Sequence, residues 1–207
     1  MKKLFLIIAV AFIFPFLSDA QSVEIAPFGG YVFPGTLNFE GGEVYINGNA
    51  QYGGIISFAA SRVIDIDLLY NRSDTKASVQ SYNNYFSTYD VPLSINYMHF
   101  GFTKNFRVNT KVSPFVGLNF GACLFSPKED YTDSWFFSMG LDAGAKIYFS
   151  KRIGIRLQGQ MMIPYQGGGF TMYIGTGGTG GGVTAYTTLV QFGFTGGLIF
   201  RVGKVLY

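Results

Sequence analysis

The chain carries one histidine, His99, and one cysteine, Cys123, among 207 residues. Hydrolysis built on a histidine base needs a nucleophile or an orienting acid beside the imidazole. Met98-His99-Phe100-Gly101 supplies neither in sequence, so His99 serves a lipid hydrolase or protease only if the fold delivers a partner; its default reading is a histidine lining an interior or a rim. A metal centre needs several His, Cys, Asp or Glu ligands converging. Asp65, Asp67 and Asp142 are the acidic candidates, yet Lys146, Arg156 and Arg201 recur with the same parity along their segments. Acids and bases on one face imply an ion-pair network more readily than a cation site, and no motif calls for a cofactor. The run Gly175 to Gly182 has the glycine content of a phosphate cradle without the following Lys-Ser/Thr or a strand-to-helix setting, so a surface tip is expected there. Tyr82, Tyr85, Phe86 and Tyr89, set among Ser and Asn, are the best candidates for contact with another molecule, because such residues make adaptable amphipathic contacts. The alternative is that they pack over the end of the fold or extend the next strand. A lone cysteine excludes an internal disulfide, and Cys123 reads as a small interior filler.

The elements that position these residues are strands. From Thr188 to Val202 the even positions include Val190, Phe192, Phe194, Leu198, Phe200 and Val202, while the odd ones include Gln191, Gly193, Thr195, Gly197 and Arg201. Side chains alternate across a strand with period two, so this is one long strand with an apolar face and a polar or small face. The same alternation marks Ile64, Ile66, Leu68 and Tyr70 against Asp65, Asp67 and Asn71, and Val116, Leu118 and Phe120 against Gly117, Asn119 and Gly121. It marks Trp135 to Phe149 and Ile153 to Ile163 as well, with Asp142, Lys146 and Arg156 on the polar face. Together the pattern predicts strands near 23–33, 50–60, 63–72, 91–104, 112–125, 135–149, 152–163 and 188–203.

Which face is inside follows from the charges. A soluble barrel turns Lys- and Glu-rich faces to water. Here the polar face is Gly, Ser, Asn, Gln and a few charges, the set that fills a narrow lumen. A basic residue facing lipid at mid-membrane costs about 2 to 4 kcal/mol, and a one-residue slip would place Lys146, Arg156 or Arg201 there. Connections alternate also: short around Ser61-Arg62, Asn105 to Lys111 and Ser150-Lys151, long through Pro34 to Asn49, Ser73 to Asp90, Ser126 to Ser134 and Pro164 to Thr187. Short turns on one side and long loops on the other suit an all-β, closed, eight-stranded antiparallel up-and-down transmembrane barrel with periplasmic termini. Eight strands leave room only for side chains, which disfavours a constitutive channel. Aromatics near the strand ends, Tyr70, Tyr97, Trp135, Phe149 and Tyr165, are candidates for interfacial girdles.

Composition agrees. Charged residues are 13%, aromatics 18% and glycines 28 in number, so the chain is short of the charge that coats a soluble domain. Residues 1–20, with Lys2 and Lys3 ahead of an apolar run and Ser18-Asp19-Ala20 behind it, read as a secretory signal cut after Ala20, leaving 21–207 as the barrel domain. A net charge of +3 does not suggest nucleic acid.

The whole mature chain resembles the small outer-membrane barrels of the OmpA/OmpX and PorT-like kind in Gram-negative envelopes. Asp90-Val-Pro-Leu-Ser-Ile-Asn-Tyr97, Val112-Ser-Pro-Phe-Val-Gly-Leu-Asn-Phe-Gly121 and Ser150-Lys-Arg-Ile-Gly-Ile-Arg156 carry the likeness. The resemblance implies an outer-membrane location among membrane lipids and a C-terminal strand read by the barrel-assembly machinery, with Tyr207 as the terminal aromatic. It names no chemistry. The expected function is a non-catalytic, structural or interaction role in the envelope, with an envelope or extracellular protein as partner. The alternatives are an enzyme acting through His99, and a small pore or secretion-accessory barrel, the pore with ten strands if a hairpin around Phe170 to Ile174 joins the wall.

Overall fold

The computed structural model describes residues 22–39, 42–81, 89–106, 111–128, 132–165, 172–174, 181–183 and 189–203. Twelve strands follow in order: β1 (Val23–Val32), β2 (Gly35–Phe39), β3 (Gly42–Ile46), β4 (Asn49–Ala59), β5 (Ile64–Ser81), β6 (Tyr89–Asn105), β7 (Val112–Pro127), β8 (Ser134–Tyr148), β9 (Ile153–Tyr165), β10 (Met172–Ile174), β11 (Gly181–Val183) and β12 (Gln191–Val202). Eight of them, β1, β4, β5, β6, β7, β8, β9 and β12, form the wall by antiparallel pairing, and β12 returns to β1 with Val23 opposite Val202. The wall is therefore a closed eight-stranded antiparallel barrel without free edges among its main strands.

The turns on one side are tight for a local reason. Ser61 accepts a hydrogen bond from the Ile64 amide at 3.0 Å, and Ser150 does the same for Ile153 at 3.0 Å. In both, a serine hydroxyl takes the place of a backbone acceptor and fixes a short reversal. Both ends of the described barrel chain, at Val23 and Val202, lie on this side.

On the other side the structure departs from the sequence expectation. Pro34 to Asn49 is not a plain loop: β2 and β3 form a hairpin, and β3 pairs with β5 from Gly42–Ser81 to Ile46–Ala77. β4 pairs with the same edge of β5 only as far as Gln51–Ser73. The strand β5 runs well beyond residue 72, and the hairpin takes over its edge where β4 stops. Asn47 bridges the break, its amide donating to Lys76 O at 3.0 Å and its carbonyl accepting from Thr75 Oγ1 at 2.5 Å. Five-residue strands give too few alternations to register as a pattern. The hairpin of β10 and β11 stands apart from the barrel sheet, so it adds no strands to the wall.

Polarity is inverted relative to a water-soluble domain. Ile25, Leu68, Phe100, Leu118, Leu141, Leu157, Phe194 and Leu198 are exposed on the outer surface, while Glu24, Asp65, Asp67, Asp142, Lys146 and Arg156 are buried inside. Soluble monomers rarely expose contiguous apolar surface on this scale. Tyr70, Trp135, Phe149 and Tyr165 face outward and are exposed, but Tyr97 does not join a girdle: it is only 4% exposed and points inward. Its odd position in β6 shares the parity of His99 and Thr103, both buried.

Closure at this radius demands glycine at particular inward positions. A Cβ at Gly30, Gly53, Gly121 or Gly144 would stand 2.0 to 2.1 Å from a carbonyl oxygen of the adjacent strand. Backbone, not a pliable side chain, occupies that space, so the strands coil together there as no other residue permits. Gly121→Ala is therefore expected to destabilise the barrel by about 1 to 3 kcal/mol, the usual cost of overpacking. The measurement is the urea midpoint of the folded form in detergent, with Gly159→Ala as control, since a Cβ at Gly159 meets nothing nearer than 4.0 Å.

Candidate functional site: the filled interior

The interior is arranged in levels along the barrel axis. Nearest the short turns, Lys146 Nζ lies 2.8 Å from Glu24 Oε2 and 2.7 Å from Asp65 Oδ2. Arg201 Nη2 reaches Glu24 Oε1 at 2.6 Å, and Tyr148 donates to the same oxygen at 2.7 Å. The Arg201 guanidinium stacks 4.2 Å from the Tyr148 ring centre, and Asn105 Nδ2 donates to Asp65 Oδ2 at 2.9 Å. Two carboxylates and two cations thus neutralise one another, each pair drawn from different strands. Such geometry is what a buried charge requires, since desolvation is repaid only by close partners and further hydrogen bonds.

At the next level Arg156 lies over the Phe115 ring, 4.4 Å from its centre, with Nη2 3.6 Å from Asp67 Oδ2 and Nε bonded to Gln158 Oε1 at 2.6 Å. Thr103 Oγ1 donates to Asp67 at 2.5 Å. Asn119 gives its amide to Asp142 Oδ2 at 2.7 Å, leaving its own oxygen as the acceptor for His99 Nδ1–H. Above these, Gln51 Oε1 accepts from Asn71 at 2.8 Å and Gln160 at 2.7 Å, and Tyr97 donates to Gln191 at 2.6 Å. The loop-side end is then packed with Val44, Ile46, Leu93, Ile95, Phe125 and Leu189, with Cys123 fully buried beside Tyr97 and Phe125 in the same cluster.

The six charged residues that sequence parity placed on one face fall into two groups. Asp65, Lys146 and Arg201 meet at the short-turn end through Glu24, whereas Asp67, Asp142 and Arg156 lie deeper. The three aspartates end on different donors, Lys146, Arg156 and Asn119, and do not converge on a common point. Among the described residues no group of three His, Cys, Asp or Glu side chains is placed to hold a metal ion.

Glu24 is the residue that sequence reasoning missed, although it contacts both cations of its level. Its even position in β1 opposes Ile25 and Pro27, but the strand is short and glycine-rich, so its polar face carries no second charge to mark it. His99 has a spatial chain to an acid, through Asn119 to Asp142, that sequence proximity does not show. It is 4% exposed, and its Nε2 has no hydrogen-bond partner among the described residues. Tyr82, Tyr85 and Phe86 lie outside the described residues, as do Tyr207, residues 1–20 and most of the glycine-rich run; Tyr89 opens β6 opposite Val79.

No family model and no curated protein matches the chain. Solved structures do. The chain is similar to the outer membrane protein OprG from Pseudomonas aeruginosa, with 10% identity, a TM-score of 0.63 and coverage of 90% of this chain and 98% of that one. It is similar to Neisserial surface protein A, with 11% identity, a TM-score of 0.54 and coverage of 87% and 96%. It also matches the outer membrane protein AlkL, studied in lipid bilayers, with 14% identity, a TM-score of 0.54 and coverage of 91% and 93%. The fold is that of the small outer-membrane barrels.

The interior yields a stability test. Lys146 is almost wholly buried and holds two carboxylates, so Lys146→Met leaves Asp65 without its cation, while Glu24 keeps Arg201. Breaking a buried pair from one side costs about 3 to 5 kcal/mol, and that loss is expected in urea unfolding. Adding Asp65→Asn to Lys146→Met is expected to restore part of it, because the uncompensated charge is gone and the Glu24–Arg201 pair is untouched.

Proposed function

We propose that this chain is a non-catalytic integral barrel of the Gram-negative outer membrane, with a closed interior and a structural or interaction role carried by its loops. The observation that carries the reading is the inversion of polarity: a broad apolar wall outside, and charges that neutralise one another inside. Lipid is the solvent that wall requires. The short turns and both barrel ends share one side, which supports periplasmic termini, and β12 is the strand that assembly machinery would read.

Two features argue against conduction. Ion pairs fill the short-turn end, and an apolar cluster fills the loop end. Eight strands enclose an interior about as wide as the side chains that fill it. Catalysis through His99 is disfavoured by its burial, at 4% exposed. An envelope or extracellular protein recognised by the loops is the remaining kind of partner, with Tyr82, Tyr85, Phe86 and Tyr89 as its proposed contacts.

The test separates these readings. The protein is expected in outer-membrane fractions, migrating as a compact form until boiled, and planar bilayers containing it are expected to show no current above background. Replacing residues 82–88 by a Gly-Ser link is expected to remove partner crosslinking in cells while the heat-dependent shift persists. Current, or turnover of a lipid or peptide lost in His99→Ala, would overturn the proposal in favour of the pore or the enzyme.

A further inference from the structure

On β5 the outward parity that carries Ile66, Leu68 and Tyr70 continues as Arg72, Asp74 and Lys76. The change is abrupt and runs across several strands. Gly54, Tyr70, Met98, Ala122 and Phe137 are cross-strand neighbours on the outer surface; four residues nearer the loops, Asp74, Ser94 and Ser126 are neighbours instead. This boundary is the loop-side edge of the apolar band.

A depression of about 590 Å³ straddles that edge. Its band side is lined by Tyr70, Met98 and Leu124, its loop side by Arg72, Ser94 and Lys128. Asp74 organises the polar half. Its Oδ1 receives Arg72 Nη2 at 2.9 Å and Ser94 Oγ at 2.6 Å, with Lys128 Nζ at 3.4 Å, and its Oδ2 receives Arg72 Nε and Tyr52 OH, each at 3.3 Å. The hydrogen bond from Arg72 holds the Asp74 carboxyl well below the usual carboxylate range, so it stays ionised and keeps the cations in place. One carboxylate thus fixes two cations at the rim, and the Lys128 side chain remains 55% exposed with further N–H donors to offer. Among the described residues, Asp133 takes the Ser126 hydroxyl at 2.6 Å.

We infer that this depression is a binding site for one phosphate-bearing lipid of the outer leaflet, its phosphate between Arg72 and Lys128 and an acyl chain over Tyr70, Met98 and Leu124. The polarity gradient selects the occupant: a free anion leaves the apolar half bare, and a lipid without a phosphate leaves the cations to water. Guanidinium and ammonium groups at a membrane edge are the donors phosphate oxygens accept from. The inference rests on the membrane reading proposed above.

The experiment uses the full mature barrel in phosphatidylcholine nanodiscs doped with dioleoyl phosphatidic acid, with retained lipid counted by native mass spectrometry after detergent extraction. Wild type is expected to keep one phosphatidic acid, and occupancy is expected to fall about fivefold for each of Arg72→Gln and Lys128→Gln. Lys128 lies at a strand end, so Lys128→Gln tests the site even if Arg72→Gln folds poorly. Equal retention in the variants overturns the inference, as does equal retention of dioleoylglycerol doped in place of the phosphatidic acid, which would mean an apolar depression only. Displacement by millimolar inorganic phosphate overturns it in favour of a free-anion site. The heat-dependent shift, read on the same samples, reports failure of the membrane reading separately.

Discussion

Closing a sheet on itself with only eight strands sets everything else in this molecule. Each of the eight wall strands pairs with two neighbours and the last pairs with the first, the arrangement by which strands cross a lipid layer. The same closure leaves an interior as wide as the side chains that fill it. Inward positions must therefore be small where strands crowd, as at Gly30, Gly53, Gly121 and Gly144, and mutually bonded where they are polar. The outer surface is freed from those demands and is uniformly apolar over the middle of the strands.

An interior of this kind is costly to assemble and rigid once assembled. Lys146, Arg156 and Arg201 give up hydration, and each recovers it through an acid, an aromatic face or both: Phe115 beneath Arg156 and Tyr148 beneath Arg201. A guanidinium stacked on a ring while hydrogen-bonded at its edge is held in one orientation. Because Glu24 is on β1, Asp65 on β5, Lys146 on β8 and Arg201 on β12, their contacts cross the lumen and also reinforce the seam where the last strand meets the first. The network is formed only when the barrel has closed, so it stabilises the closed state against opened sheets that share the same local pairing.

The wall was legible in the sequence wherever a strand kept large apolar residues on one parity for several repeats. β7, β8 and β9 begin and end within about two residues of the alternation, and the six charges on the polar parity are interior. Legibility failed where alternation is short or mixed. β2 and β3 have five residues each, and β5 changes its outward residues from apolar to charged at Arg72, which reads as a strand end although the pairing continues to Ser81. Tyr97 failed for a different reason: an aromatic near a strand end suits an interface by type, but parity outranks type, and odd positions of β6 face in. Glu24 meets Lys146 across the barrel, and the Asn119 link joins His99 and Asp142 over three neighbouring strands; a linear pattern carries both only as parity and never as a contact.

The outward charges of β5 carry the most consequential distinction. Asp65 and Asp67 at odd positions face the lumen, while Arg72 and Asp74 at even positions face out. Had the strand's outward face been lipid-covered along its whole length, the second pair would be as unfavourable as the first would be after a register slip. Parity separates interior charge from surface charge, and the point along the strand where outward charge first becomes tolerable measures where the apolar solvent ends. On β5 that point lies between Tyr70 and Arg72, on β6 between Met98 and Asn96, and on β7 between Leu124 and Ser126. Three neighbouring strands place the boundary at adjoining positions, so the edge of the band is a property of the fold and not of one side chain.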